Sequence, residues 1–212
     1  MHALKRDTDA PAGLDRYKHG QDTWGNGIPS ESVRQAIWDK LNAMQGGRCA
    51  YCEAAIGEGK RHIEHFRQRG RYPQGTFAWD NLFGSCHRQG CCGDHKDKQQ
   101  YTPNDLIKPD EEDPEHFLIF AADGSVSPRA NLSPQEKHRA EETIRIFNLD
   151  GALKQIRQRA ISGYIQTAEE FASMAAVFDE SEWLPLLEKE IQATAHLPHS
   201  TAIKHILSRQ DP

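Results

Sequence analysis

The 212-residue sequence lacks a long hydrophobic run: its longest apolar stretch is residues 117–122. A membrane-spanning helix needs about 20 apolar residues, so the sequence predicts no membrane span. No apolar segment follows the basic residues at the start of the chain, which predicts a cytoplasmic protein without a secretory signal. The 37% hydrophobic and 27% charged residues are typical of a folded domain and exclude wholesale disorder.

Cysteine is absent from residues 1–48 and 93–212, so all five cysteines fall in the remaining short segment. They are Cys49, Cys52, Cys86, Cys91 and Cys92. Such clustering, with an odd count and no secretion signal, favours a metal site over disulfides.

An overall excess of basic charge is also missing, because the formal net charge is -5. Residues 1–108 carry 16 Lys and Arg against 13 Asp and Glu, whereas residues 109–212 carry 10 against 18. Attraction to a polyanion must therefore come from a local patch in the first half, or from a partner.

Composition and periodicity divide the chain into four parts. Residues 1–47 combine an irregular arm with a helix, and residues 48–109 have too little periodic apolar sequence to predict an ordinary hydrophobic core. Residues 110–132 form a linker and a small hairpin, and residues 133–212 are helical. The predicted helices cover about residues 30–46, 133–147, 152–178, 182–193 and 201–208.

The cysteine spacing predicts a structural zinc site. The two-residue gap between Cys49 and Cys52 lets one tight turn present both sulfurs to a tetrahedral ion. The second half of the site must come from Cys86 with either Cys91 or Cys92. A bound zinc would replace the apolar core that this segment lacks.

Imidazole, carboxylate and amide side chains lie between and after the cysteine pairs. In chain order the motifs are Cys49-Ala50-Tyr51-Cys52-Glu53, Ile63-Glu64-His65-Phe66, Trp79-Asp80-Asn81-Leu82 and Cys92-Gly93-Asp94-His95-Lys96. This order resembles the HNH, or ββα-metal, nuclease fold, in which a hairpin and a helix grip one catalytic divalent ion. Within that superfamily the motifs resemble the PtuB-type nuclease subunits of Septu and retron-associated anti-phage systems. The resemblance covers about residues 48–98, with weaker similarity on both flanks.

The resemblance implies an α+β fold with a zinc-clipped ββα-metal core, an N-terminal arm and helix, and an α-helical C-terminal region. It assigns His65 as the general base and Glu64 as a ligand of Mg²⁺ or Mn²⁺. Asn81 would either bind the ion or brace the loop that holds His65, and His95 would be a helix ligand. Adjacent residues of a regular strand point to opposite faces, so Glu64 and His65 can share a site only if the strand twists, bulges or ends there.

Counting back from Lys96 along the family pattern selects Cys92 as the fourth zinc ligand and leaves Cys91 as a spare thiol. The chain departs from the broader pattern at Gly93, where His or Asn usually follows the last cysteine. For His62 a structural or phosphate-contacting role is predicted rather than a chemical one.

Basic residues around these motifs predict contact with nucleic acid. The candidates are Arg61, Arg67, Arg69, Arg71 and Lys96. Guanidinium groups suit phosphate contact, and the neighbouring Tyr72 and Phe77 suit base stacking. The acidic C-terminal helices should repel nucleic acid, which favours a docking role. The resemblance implies an ATPase partner of ABC or SMC-like (PtuA-like) type, together with a retron reverse transcriptase and its RNA and DNA.

The sequence therefore predicts a metal-dependent endonuclease that hydrolyses DNA or RNA in anti-phage defence. Two alternatives stay open. One is a zinc-binding adaptor that docks nucleic acid or an ATPase without cleaving anything. The other is a stand-alone HNH enzyme of the restriction or homing type.

Overall fold

Helices and two small sheets form residues 1–208, the part of the chain that the computed structural model describes. The helices are α1 Glu31–Gln45, α2 Cys92–Lys96, α3 Pro134–Ile146, α4 Ala152–Ile161, α5 Ile165–Ala175, α6 Glu180–Thr194 and α7 Ser200–Leu207. The strands are β1 Arg61–His65, β2 Leu82–Cys86, β3 Leu118–Phe120 and β4 Val126–Pro128. This mixture of helices and small sheets is consistent with the predicted α+β class. Residues 209–212, the end of the predicted helical region, lie outside the described residues.

The helix predictions agree with the structure except at one place. At the start of α3 the Ser133 side chain accepts a hydrogen bond from the Glu136 amide, and the Glu136 carboxylate accepts one in return from the Ser133 amide. The prediction of one helix over residues 152–178 is wrong, because a 3₁₀ turn at Ser162–Tyr164 separates α4 from α5. Gly163 is a poor helix former, which favours an interruption here. None of the described helices combines the length and apolar character needed to cross a bilayer.

The strands β1 and β2 form an antiparallel hairpin that is followed by α2. The register pairs Arg61 with Cys86 and His65 with Leu82. Across residues 1–208, β1 pairs with no strand other than β2. The far side of β2 is closed by the amide side chain of Gln45, which donates to the Gly84 carbonyl at 2.8 Å and accepts from its N–H at 2.7 Å. One edge of β1 therefore remains without a strand partner.

The hairpin shares its apolar core with the C-terminal helices. The rings of Tyr51, Phe66 and Phe83 are buried against Phe147, which follows α3, and the Tyr51 and Phe147 ring centroids are 4.0 Å apart. The expectation that residues 48–109 lack a hydrophobic core is corrected in this respect. A distant segment supplies the missing apolar surface.

The cysteine turn is also tied to the C-terminal helices by polar contacts. The Arg48 guanidinium donates to the carbonyls of Ala195 and Leu197 at 2.9 and 3.1 Å and to the Ser200 hydroxyl at 2.7 Å. The buried Glu53 carboxylate accepts a hydrogen bond from the Thr201 amide at 3.0 Å. These contacts fix the turn against the start of α7.

Candidate metal centre and active site

Four sulfur atoms converge between the Cys49 turn, the end of β2 and the start of α2. The ligand atoms of Cys49, Cys52, Cys86 and Cys92 all lie within 4.8 Å of one another, and all four residues are buried. The sulfurs of Cys52 and Cys86 are 3.9 Å apart. In a tetrahedral zinc site with Zn–S bonds of about 2.3 Å, the sulfurs lie about 3.8 Å apart. The donor set and the spacing therefore fit one zinc ion.

The pKa values of three of these thiols reflect the close packing of the sulfur atoms. Burial opposes a thiolate at Cys49, but hydrogen bonds from three neighbouring thiols outweigh it and hold the pKa of Cys49 well below its ordinary value. The hydrogen bonds that Cys52 and Cys92 make to Cys49 raise the pKa of both thiols well above the ordinary value. Several thiolates can coexist in this space only with a compensating cation.

The structure brings Cys92, not Cys91, into the sulfur cluster. Cys92 has a positive φ of 52°, which is rare outside glycine, and its amide donates to the Phe147 carbonyl at 2.9 Å. Cys91 precedes α2, is 1% exposed and lies outside the cluster.

Glu64 lies under α2 in a buried network of charges. Its Oε1 is 2.7 Å from Lys96 Nζ, and its Oε2 is 3.3 Å from His62 Nε2. A Cβ atom added to Gly93 would stand 2.3 Å from Oε2, so the glycine is what allows the carboxylate to approach the helix. His62 and Glu64 are two residues apart in β1 and therefore lie on the same face of the strand.

The charges of this network determine its protonation. Burial favours a neutral Glu64, but the nearby Lys96 ammonium and the His62 hydrogen bond outweigh it and lower the pKa of the carboxyl group. Burial disfavours a charged Lys96, and the Glu64 carboxylate more than reverses this effect, so the pKa of the ammonium is raised. Glu64 is thus ionised and available as a ligand.

Two residues predicted to bind nucleic acid are engaged inside the protein. Lys96 has no exposed side-chain surface, and its ammonium also donates to the His65 carbonyl at 2.9 Å. The prediction that Lys96 contacts nucleic acid therefore needs correction, since its charge is used to hold Glu64. The Arg61 guanidinium stacks over Trp38 at 4.1 Å and donates to Asn42 at 3.2 Å.

His65 ends β1 and contacts a different part of the molecule from Glu64. Its Nε2 lies 2.9 Å from the Thr76 carbonyl, and its ring meets the Trp24 ring edge-on with centroids 4.5 Å apart. Burial lowers the pKa of His65 to about 4, and the charge of Arg69 adds to this effect. The imidazole is therefore neutral at neutral pH. A hydrogen bond from Nε2–H to the carbonyl would leave Nδ1 as the basic nitrogen.

The sequence left two roles open for Asn81: it would either bind the ion or brace the loop that holds His65. Its Oδ1 accepts from the Arg67 amide at 2.7 Å, and its Nδ2 donates to the carbonyls of Arg67 and Gly75 at 3.1 and 2.9 Å. Both ends of the side-chain amide are thus bound to the loop that follows β1. This geometry fits the bracing role and leaves the amide little capacity to bind an ion.

His95 projects from α2 toward the end of α3. Its Nδ1 lies 2.9 Å from the Ile146 carbonyl, and its Nε2 lies 3.4 Å from the Gln99 side chain. Within residues 1–208, no hydrogen bond or ion pair joins it to Glu64 or His62. The family-implied role of His95 as a ligand therefore has no geometric support.

The loop between β1 and β2 exposes three of the predicted arginines. Arg67, Arg69 and Arg71 are exposed, and Arg69 donates to the Trp24 carbonyl at 3.0 Å. A cavity of about 410 Å³ lies beside this loop, lined on one side by residues 19–24 and on the other by Arg69, Gly70, Pro73 and Thr76. The same Trp24 and Thr76 contact His65, so the cavity adjoins the proposed base.

Sequence reasoning missed three features of this site. It gave no role to Trp24 in covering His65, and it did not foresee the burial of Lys96 or the contact between His62 and Glu64. A signal for His62 was present, because residues at i and i+2 of a strand share a face. No local signal indicated that Lys96 would be buried.

Comparison with known proteins places these features in a class. No protein-family model matches the chain. The chain is 26% identical over 137 residues to a protein of retron Vc95 from Vibrio cholerae serotype O1 biovar El Tor that is provisionally named an HNH endonuclease. This match covers 61% of the chain and 64% of that protein.

The second relative is the Septu protein PtuB of Bacillus thuringiensis. It is 26% identical over 157 residues, which cover 68% of the chain and 56% of PtuB. The two matches confirm the resemblance that the motifs predicted. The chain spans less than two thirds of the length of each relative.

Proposed function

We propose that the chain is a metal-dependent HNH endonuclease that hydrolyses phosphodiester bonds of nucleic acid in anti-phage defence. The observation that carries the proposal is the order β1, β2, α2 closed by four cysteine sulfurs, with Glu64 buried under α2 and a neutral His65 at the end of β1. The names of the two relatives support the same class of enzyme.

His65 would act as the general base. Phosphodiester hydrolysis needs an acceptor for the proton of the attacking water, and a neutral imidazole is one. The contact with the Thr76 carbonyl fixes the orientation of the ring, and the edge of Trp24 restricts its rotation. Asn81 acts as a positioning residue, because it ties the loop carrying Thr76 to the segment that follows His65.

Glu64 would hold the catalytic divalent ion through Oε2, with Lys96 fixing the carboxylate from its other side. When bound, such an ion supplies positive charge at the scissile phosphate and at the leaving oxygen. The residues fit this group, because Glu64 is ionised and buried, and its carboxylate occupies the space that any side chain at Gly93 would fill.

The free edge of β1 explains how Glu64 and His65 can serve one phosphate. The two side chains contact opposite sides of the strand, but β1 ends at His65 and has no strand partner on one edge. We place the scissile phosphodiester along that edge, where it would have to contact both side chains. The exposed Arg67, Arg69 and Arg71 flank the same end of the hairpin and supply contacts to the backbone phosphates.

Replacement of the base tests the proposed activity. His65→Ala should lower cleavage of a supercoiled plasmid or a single-stranded RNA by about 10²–10⁴-fold, in the presence of Mn²⁺ or Mg²⁺ and the partner subunit. The matched control is His138→Ala, an exposed histidine on α3, which should cleave as the unmodified protein does. Equal cleavage by folded His65→Ala protein would refute the nuclease and favour the zinc-binding adaptor.

We further propose that the four cysteines hold one structural zinc ion. Elemental analysis of the purified chain should return about one zinc per chain. Cys49→Ser should lose the ion and lower the melting temperature sharply, since metal affinity is coupled to folding. Cys91→Ser should retain the zinc, because Cys91 lies outside the cluster. Stable protein without zinc would overturn this assignment.

The C-terminal helices are proposed to dock an ATPase subunit of ABC or SMC-like type. Large apolar side chains are exposed where α5 leads into α6, with Val177 77%, Phe178 50% and Leu186 49% exposed. Such a patch marks a binding surface on a protein otherwise acidic in this region. Val177→Asp combined with Phe178→Asp should abolish co-purification with a PtuA-like ATPase subunit, and unchanged co-purification would exclude this surface.

A further inference from the structure

His62 and Glu64 of β1 face Gly93 of α2, which has no side chain. Nε2 of His62 and Oε2 of Glu64 lie 3.3 Å apart on one face of β1. Opposite them, a Cβ atom on Gly93 would be 2.3 Å from Oε2 and 2.9 Å from Nε2. Any side chain at position 93 would therefore displace both donor atoms. The glycine leaves them facing the same space.

Two buried polar atoms at this place have no hydrogen bond partner within residues 1–208: Nδ1 of His62 and Oε1 of Glu64. The Lys96 ammonium lies 2.7 Å from Oε1 and is its ion-pair partner, so Nδ1 of His62 is the one of these two atoms without a partner among the described residues. A buried polar atom without a partner costs about 1–3 kcal/mol, so native proteins keep few of them, and those they keep call for an explanation. Glu64 is 2% exposed, and the His62 side chain is 29% exposed.

The helix itself offers no ligand to this space. Gly93 has no side chain, and the Nδ1 atom of His95 faces the Ile146 carbonyl at 2.9 Å. Among residues 1–208, His62 has the imidazole nitrogen that lies within 4 Å of the Glu64 carboxylate, and it comes from the strand.

We propose that His62 binds the catalytic divalent ion together with Glu64, so that β1 supplies both protein ligands. This rests on the proposed nuclease function and deepens it by naming the ligand that α2 does not provide. Two ligands about 2.1 Å from an ion and at right angles to each other lie about 3.0 Å apart, close to the observed 3.3 Å. The two donors can thus reach one ion with little movement.

An imidazole ligand also changes which ion the site prefers. Mg²⁺ favours oxygen ligands and retains most of its water, whereas imidazole nitrogen suits borderline transition metals. A site with one carboxylate and one imidazole should bind Mn²⁺ at least about tenfold more tightly than Mg²⁺. A site built from Glu64 alone would show no such preference.

The test uses Mn²⁺ as the probe, on the full chain carrying one zinc. Binding is followed by the loss of the free Mn²⁺ signal in electron paramagnetic resonance, and the electron spin-echo modulation of bound Mn²⁺ detects directly coordinated nitrogen. The unmodified chain should bind one Mn²⁺ with nitrogen modulation. His62→Ala should weaken binding by about 10–100-fold and remove the modulation. Gly93→Ala should weaken binding as well, because its Cβ occupies the space beside Oε2.

Matched variants separate this site from its neighbours. His95→Ala and His87→Ala should keep the nitrogen modulation, and Gly163→Ala, whose added Cβ meets nothing within 4 Å, should bind Mn²⁺ normally. Nitrogen modulation that survives in His62→Ala, or disappears in His95→Ala or His87→Ala, would overturn the assignment. So would bound Mn²⁺ without nitrogen modulation in the unmodified chain.

The result is independent of whether the chain cleaves nucleic acid. Nitrogen modulation that depends on His62 in a chain without cleavage activity would support the metal site and refute the nuclease. Mn²⁺-dependent cleavage that is unchanged in His62→Ala, with no nitrogen modulation, would support the nuclease and refute the role of His62.

Discussion

The two faces of β1 place their side chains in opposite surroundings. One face carries His62 and Glu64 into a buried network of charges under α2, whereas the other places Ile63 and His65 against apolar rings of the N-terminal arm and α1. The first face keeps a carboxylate ionised, and the second keeps an imidazole neutral. The proposed hydrolytic site needs both states at once, and alternation of side chains along one strand would provide them.

The difference teaches that the electrostatic environment, more than the residue type, separates the two roles. Glu64 is charged because an ammonium group without solvent exposure stands 2.7 Å away. His65 is neutral because it is buried beside an indole ring, and burial outweighs the Thr76 carbonyl, which alone would raise the pKa of the imidazole. A carboxyl group in the apolar surroundings of His65 would instead have a raised pKa and be neutral more readily.

The largest effect should come from breaking the ion pair on the charged face. Glu64→Ala leaves the Lys96 ammonium buried without its main counter-charge and should lower the free energy of unfolding by about 3–5 kcal/mol. Urea denaturation without added divalent ion measures the change. In a Lys96→Met background the same substitution should cost much less, and an equal cost in both backgrounds would show that the pair is not coupled.

A smaller loss should follow from releasing the loop that supports the neutral face. Asn81→Ala removes three hydrogen bonds to the backbone of Arg67 and Gly75 and should cost about 1–3 kcal/mol, because buried backbone groups lose their partners. Hydrogen exchange in residues 66–76 should accelerate. Asn42→Ala, which loses only a contact with the Arg61 side chain, is the control and should change stability by less than about 0.5 kcal/mol.

The partly exposed ion pair of Glu115 serves as a comparison for the buried pair of Glu64 and Lys96. Hydrogen bonds from His205 and Lys204 outweigh the effect of burial and lower the pKa of Glu115 to about 2, from an ordinary 4.5. A depressed carboxyl pKa stabilises the fold above about pH 4.5, and the contribution disappears as the pH falls toward 2. The stability difference between the unmodified chain and Glu115→Gln should therefore shrink over this interval, from about 1–2 kcal/mol after allowance for solvent screening. A difference independent of pH would contradict it.

The smallest effect is expected from the arginine at the start of β1. Arg61→Ala removes the stacking on Trp38 and one hydrogen bond, and should cost about 0.5–1 kcal/mol in thermal or urea unfolding. The exposed Arg71→Ala is the matched control and should stay within about 0.5 kcal/mol of the unmodified chain. If both variants were equally stable, the stacking would contribute nothing measurable.

Patterns that depend on nearby residues were predictable from the sequence. The capping box at Ser133, the periodicity of α1 and the turn between β3 and β4 are all set by residues within one or two turns of one another. The four clustered cysteines were predictable for a different reason, since a chain of this kind has few other uses for them.

Features that depend on distant residues were not predictable. Lysine is ordinarily exposed, and the burial of Lys96 follows only from its meeting with Glu64, 32 positions earlier in the sequence. The core under the hairpin depends on Phe147, which local composition could not connect with Tyr51. Asn81 offered equal support for two roles until its amide was seen to be bound at both ends.

The contacts of Arg48 couple the metal centre mechanically to the rest of the chain. Its guanidinium spans the connection between α6 and α7, and the residue that follows it is the first cysteine of the cluster. A load that pulled this connection away would have to break all three hydrogen bonds or drag the sulfur turn along with it. Tension on the C-terminal helices would thus reach the cysteine turn through these three hydrogen bonds.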